Sequence, residues 1–120
     1  MVGPNAEPQV EVLSPREKLG WCLENLGQRI TVVGLGESDA RPVREWAEAG
    51  VPEGMSIQVD ALFGAAKRVA DVYDDQTARA FLRSSNPYAD DRSLLEFTAV
   101  ASIDESALEV IDGAVEVFLS

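Results

Sequence analysis

The stretch Ala78–Phe97, reading ARAFLRSSNPYADDRSLLEF, constrains the fold more than any other part of this chain. It opens as a helix carrying Phe81 and Leu82, and Asn86-Pro87 then stops that helix. Proline lacks a backbone donor and pushes the residue before it out of helical geometry. After the short acidic turn Ala89-Asp90-Asp91, Ser93 and Glu96 stand at the spacing of a capping box, so a new helix begins at Arg92-Ser93. Such a stretch fixes two helices at a set angle. Nothing in it has the make-up of a catalytic centre.

The same grammar runs through the rest of the chain. Ser14, Pro15 and Glu17 form a helix start with proline at the first helical position. Leu19, Cys22, Leu23 and Leu26 then make an apolar stripe at helical spacing, and Gly27 stops it. Ile30–Leu35 reads locally as a strand through Val32 and Val33, but its shortness and flanking glycines favour a short helix ending at Gly36. Asp39 caps a third helix, with Val43, Trp46 and Ala47 on its apolar face and Gly50, Pro52 and Gly54 after it. The longest helical pattern spans Ile57 to Tyr73, carried by Leu62, Ala65, Val69 and Val72. Asp74 or Asp75 caps the next. A final helix is expected to begin near Ser102, with Glu105 completing a capping box and Leu108, Ile111, Val115 and Phe118 as its stripe. Trp46 and Phe81 are expected in the core. Arg92, the only base in the last 34 residues, is expected to pair with Asp90, Asp91 or a later acid.

The expectation is an all-α protein of about seven helices. Residues 1–13 would form a flexible arm, 14–56 a helix-turn-helix-like three-helix unit, and 57–120 a C-terminal helical unit packed on it.

Composition removes several functions. There is no histidine, so the usual general base, metal ligand and nucleophile partner are missing. Gly34-Leu35-Gly36 lacks the third glycine or following lysine of a phosphate-cradling loop. Cys22, the single cysteine, sits at an apolar helical position and reads as a small core residue. No catalytic residue, cofactor or metal site is expected. No apolar run approaches the ~20 residues of a membrane span, and the N-terminus lacks a signal-peptide pattern. These features suggest a cytoplasmic protein without membrane contact.

The net charge of −11 is unevenly placed. Residues 14–59 carry −2, residues 60–86 balance, and residues 87–120 carry −7, with Arg92 their only base. That favours a basic partner for the C-terminal third and opposes non-specific attraction to nucleic acid. In the three-helix unit the third helix would present polar residues to a DNA major groove, and Ser38, Arg41 and Arg44 are the DNA-binding candidates.

The Ala78–Phe97 stretch resembles the toxin-binding domain of Xre/MbcA/ParS-type antitoxins, through Phe81-Leu82, Asn86-Pro87, Arg92-Ser93, Leu95-Glu96 and the closing helix. Val43-Arg44-Glu45-Trp46 is similar to that family's third helix. The chain departs from the pattern where Ala89-Asp90-Asp91 replaces the usual glycines and Leu94 replaces a proline. The resemblance implies the antitoxin half of a type II toxin–antitoxin pair whose partner is an NAD-consuming RES-domain toxin. It further implies a homodimer and operator DNA as a second partner. The toxin-binding residues would be Glu109, Asp112, Glu116, Val117, Phe118, Leu119 and Ser120, with the apolar end of the helix entering the toxin's cleft. The competing readings are a stand-alone helix-turn-helix regulator and an interaction protein that does not bind DNA.

Overall fold

Ser14 starts the first helix by closing a two-way cap. Its hydroxyl accepts from the Glu17 N–H at 3.1 Å, and the Glu17 carboxylate accepts from the Ser14 N–H at 2.8 Å. The structure is a computed structural model describing residues 13–99 and 104–120. The expected arm therefore lies outside the described residues, apart from Leu13. Among the described residues there are seven α-helices: α1 (Pro15–Asn25), α2 (Gln28–Gly34), α3 (Ala40–Ala49), α4 (Ser56–Val72), α5 (Asp75–Arg83), α6 (Leu94–Thr98) and α7 (Glu105–Leu119). The all-α expectation holds. Ile30–Leu35 lies in or just after a helix, as its glycine flanks suggest.

Most boundaries follow from local chemistry. The Asp39 and Asp74 carboxylates accept from the N–H groups of Arg41 at 3.0 Å and Thr77 at 2.7 Å, and each cap of this kind contributes ~1 kcal/mol. Helix α2 ends in a Schellman pair, with Gly36 N–H donating to the Val33 carbonyl and Glu37 N–H to that of Val32, both at 3.0 Å. Gly36 takes φ 74° there, a region glycine enters freely.

Helix α4 is the axis of the core. Val59, Leu62, Ala65, Ala66 and Val69 are buried along it, facing α1 on one side and α5 and α7 on others. Leu19, Leu62, Leu82, Leu94 and Val115 belong to one continuous buried cluster that crosses residue 56 without a break. Truncating any of its leucines to alanine costs ~2–5 kcal/mol. Trp21 meets Phe63 edge-to-face at 5.5 Å, and Lys18 pairs with Asp60 at 2.8 Å.

Besides the α1–α4 contact, α6 seats the C-terminal half on the first three helices. The buried Thr98 hydroxyl donates to the Gly34 carbonyl at 2.7 Å, and Gln58 Nε2 donates to the Thr98 carbonyl at 3.3 Å. A Cβ on Gly34 would stand 3.0 Å from Leu95 and 3.1 Å from Leu62, so the crossing of α2, α4 and α6 is tight enough that a side chain there would push both leucines aside.

Four expectations need correction. The last helix begins at Glu105, capped by Asp104, whose carboxylate accepts from the Ala107 N–H at 2.9 Å. Glu105 is therefore the first helical residue, and Ser102 lies outside the described residues. Trp46 is half-buried, packed on the core's edge rather than enclosed. Its truncation should cost less than the ~3–5 kcal/mol of a fully buried aromatic. Arg92 makes no ion pair among the described residues; its guanidinium stacks on the Phe97 ring at 4.6 Å. Finally, the Asn86-Pro87 break is more than a helix stop. Ser85–Asn86 (β1) pairs antiparallel with Arg92–Ser93 (β2) around a 3-10 turn at Pro87–Ala89.

Replacing Gly36 with alanine should destabilise the protein by at least ~2 kcal/mol in urea unfolding. The new Cβ would combine left-handed backbone strain with a collision against the Ala99 carbonyl oxygen. An unchanged midpoint would contradict the seat described here.

Candidate functional site

The turn between α5 and α6 shapes the most distinctive surface. Asn86 Oδ1 accepts from the Tyr88 N–H at 3.0 Å, and Asp91 N–H donates back to the Asn86 carbonyl at 2.9 Å. Asp90 and Asp91 take φ 55° and 63°. Aspartate is among the few residues that tolerate left-handed geometry, so both fit this turn without glycine.

That path carries Tyr88 onto α7. Its ring lies over Gly113, where an added Cβ would stand 3.5 Å away. The helix-weakening glycine thus provides a flat seat for an aromatic ring. On the other side of α7, Phe118 stacks on Phe81 at 4.5 Å and meets Tyr73 at 5.7 Å. Between α5, the turn and α7 lies a groove of about 410 Å3, walled by Ala80, Phe81, Ala114, Val117 and Phe118, with Tyr88 at its lip. Tyr88 and Val117 are each 52% exposed and Phe118 39%.

The expected toxin-binding residues divide in this geometry. Glu109 and Glu116 are exposed, and neither forms an ion pair among the described residues. Asp112 is held by Arg68 at 2.8 Å, across a separate α4–α7 groove of about 310 Å3. Val117 is open to solvent, Phe118 is shared between solvent and Phe81, and Leu119 packs against the core. The Ser120 hydroxyl donates to the Val117 carbonyl at 2.9 Å. The apolar end of α7 is therefore partly accounted for by the chain's own packing.

The DNA-binding candidates lie on an exposed surface of the first three helices. Arg41 is turned onto its own helix cap, donating from Nε and Nη2 to Asp39 Oδ2 at 3.2 and 2.9 Å. That guanidinium, then the Arg41 N–H, holds the Asp39 carboxyl below its usual range. The cap's contribution is thus complete above the normal carboxylate pKa and is lost as pH falls through the lowered one. Arg44 donates to Gln28 Oε1 at 2.7 Å, and Ser38 is exposed at the turn before α3. Gln28 and Arg29 are exposed at the start of α2, so the Arg44–Gln28 hydrogen bond ties α3 to α2 on this surface.

Among the described residues no group of three or more Cys, Asp or Glu side chains could hold a metal, and no helix is long and apolar enough to cross a membrane. Comparison of the chain with protein-family models, curated proteins and solved structures found no match.

Cys22 is fully buried, and desolvation pushes its thiol up to about 12. At pH 8 only about one thiol in ten thousand is ionised, so a disulfide reagent should leave it untouched until denaturant is added. Fast labelling of the native protein would contradict this burial.

Proposed function

We propose that this chain is the antitoxin of a type II toxin–antitoxin pair. Its C-terminal helical unit docks on an NAD-consuming RES-domain toxin and occludes the entrance to the active site, and the antitoxin acts as a homodimer that represses its own operon. The observation that carries this reading is the turn at Asn86–Ser93. A long helix, a shorter helix with Phe81-Leu82 in its last turn, an Asn-Pro break and a capped restart occur in the order of the resemblance, and two left-handed residues stand within the Ala89-Asp90-Asp91 segment that replaces its glycines. The −7 charge of residues 87–120 supports a partner whose cleft, built to hold a dinucleotide pyrophosphate, is positive.

Expression beside a RES-domain toxin tests it. The wild-type chain should co-purify with the toxin and restore growth. Reversing the exposed charges, Glu109→Lys with Glu116→Lys, should abolish both while leaving the helical circular dichroism unchanged. Failure of the wild-type chain to bind or protect would overturn the reading.

One observation favours an interaction protein without DNA binding: Arg41 is already satisfied by Asp39. A gel shift separates the two. If operator DNA is a partner, Arg41→Ala with Arg44→Ala should remove binding, whereas Asp39→Asn, which keeps a capping side chain and frees Arg41, should strengthen it and steepen its salt dependence. No shift by any of these proteins at low salt would leave the protein-only role.

A further inference from the structure

We propose that the α5–α7 groove is a receptor for an apolar segment of a protein partner that carries Lys or Arg on both flanks. This rests on the reading that the C-terminal unit docks a protein, and it reverses the direction of insertion. Val117 and Phe118 act as a wall that receives the partner, not as a plug that enters it.

The interior of the groove selects for apolar side chains. Its walls are Ala80, Phe81, Ala114, Val117 and Phe118. Two of its polar side chains are engaged within the chain: the Ser84 hydroxyl donates to the Ala80 carbonyl at 2.6 Å, and Asn86 Oδ1 accepts from the Tyr88 N–H. The hydroxyls of Thr77, Ser85 and Tyr88 are polar groups left to an occupant of a mostly apolar lining. A volume of about 410 Å3 lies near the low end of the ~300–1,000 Å3 of ligand sites, so it suits a few side chains, not a whole helix.

The rim selects for positive flanks. Glu109, Gly113 and Glu116 share one face of α7, because residues three and four apart stack along a helix. Tyr88 sits on that face, over Gly113. Asp90 and Asp91 are exposed in the same turn, two and three residues after Tyr88. None of these four carboxylates forms an ion pair among the described residues, so each keeps its full charge for an occupant. Of the cations nearby, Arg68 is held by Asp112, Arg79 donates to the Asn25 carbonyl and Arg92 stacks on Phe97. Arg83, exposed in the last turn of α5, is the counterweight. A second copy would bring the same carboxylates together on a chain of net charge −11, so the charge pattern favours a basic occupant over self-association.

The test titrates the isotope-labelled full chain with three synthetic peptides: Leu-Phe-Leu flanked by lysines, the same core flanked by glutamates, and a Ser-Gly-Ser core flanked by lysines. The first should shift the amide resonances of Ala80, Ser84, Tyr88 and Val117 and bind at least about tenfold more tightly than either control. Its advantage over the glutamate peptide should shrink as salt rises from about 0.05 to 0.5 M. Ala80→Trp, a substitution at an exposed position, should fill the groove and remove binding. Glu109→Gln with Glu116→Gln should weaken binding without touching the walls.

Equal binding of the Ser-Gly-Ser peptide would reduce the effect to charge alone and overturn the proposal. So would full binding by Ala80→Trp, or a wild-type dimer in sedimentation that Ala80→Trp dissociates, which would assign the groove to a second copy. The titration needs no toxin. The antitoxin reading can therefore fail in cells while the groove still selects its peptide, and the reverse can also occur.

Discussion

The arrangement of both candidate surfaces depends on how α6 is seated against α2. Thr98 is buried, and its one hydroxyl proton is shared between the Gly34 carbonyl at 2.7 Å and that of Leu95 at 3.2 Å. A buried hydroxyl without such partners would cost ~1–3 kcal/mol, so the seat is defined in position as well as stabilised. Gly34 and Gly36 make it possible by carrying no side chain where α2 and its exit turn meet Leu95 and Ala99. Gln58 Oε1 is buried beside this joint with no hydrogen-bond partner among the described residues. The joint links the helices bearing Arg41 and Arg44 to those bearing Phe81 and Phe118 through a single core.

The groove is a consequence of the next connection along the chain. The Asn86 side chain and the left-handed pair Asp90-Asp91 turn the backbone sharply enough to pair Ser85–Asn86 with Arg92–Ser93. This lays Tyr88 on Gly113 and leaves a trough between α5 and α7 that Phe118 only half fills. Carboxylates of α7 and of the turn lie near it, and of the nearby cations only Arg83 is uncommitted. Local turn chemistry thereby produces an apolar concavity with an excess of negative charge around it.

Helix starts were legible in the sequence because capping is local. Ser14, Asp39 and Asp74 each act within three residues, so their spacing carries the information. The start of α7 was misread because Ser102 and Asp104 can both be written as caps, and only the backbone path chooses between them. Periodicity identified the apolar face of α3 but could not show how completely a neighbour covers it, which is why Trp46 is less enclosed than expected. The β1–β2 pairing and the stacking of Arg92 on Phe97 depend on how the chain folds back, a property no helical stripe encodes. The Asp39–Arg41 pair is equally local, two residues apart. Of the candidate site, the acidic and apolar character of α7 was visible in sequence; the groove was not, since its walls are contributed by residues from Thr77 to Phe118.

Unfolding followed by probes in each half gives the most direct test of a single shared core. Both tryptophans, Trp21 and Trp46, lie in the first three helices, while both tyrosines, Tyr73 and Tyr88, lie at the end of α4 and in the turn. Urea titration monitored by tryptophan fluorescence and by the tyrosine ring resonances should give one coincident transition, as expected of a small cooperative domain. Two separated midpoints would contradict the account, because the surface carrying Arg41 and Arg44 and the groove beneath Tyr88 would then belong to units that fold apart.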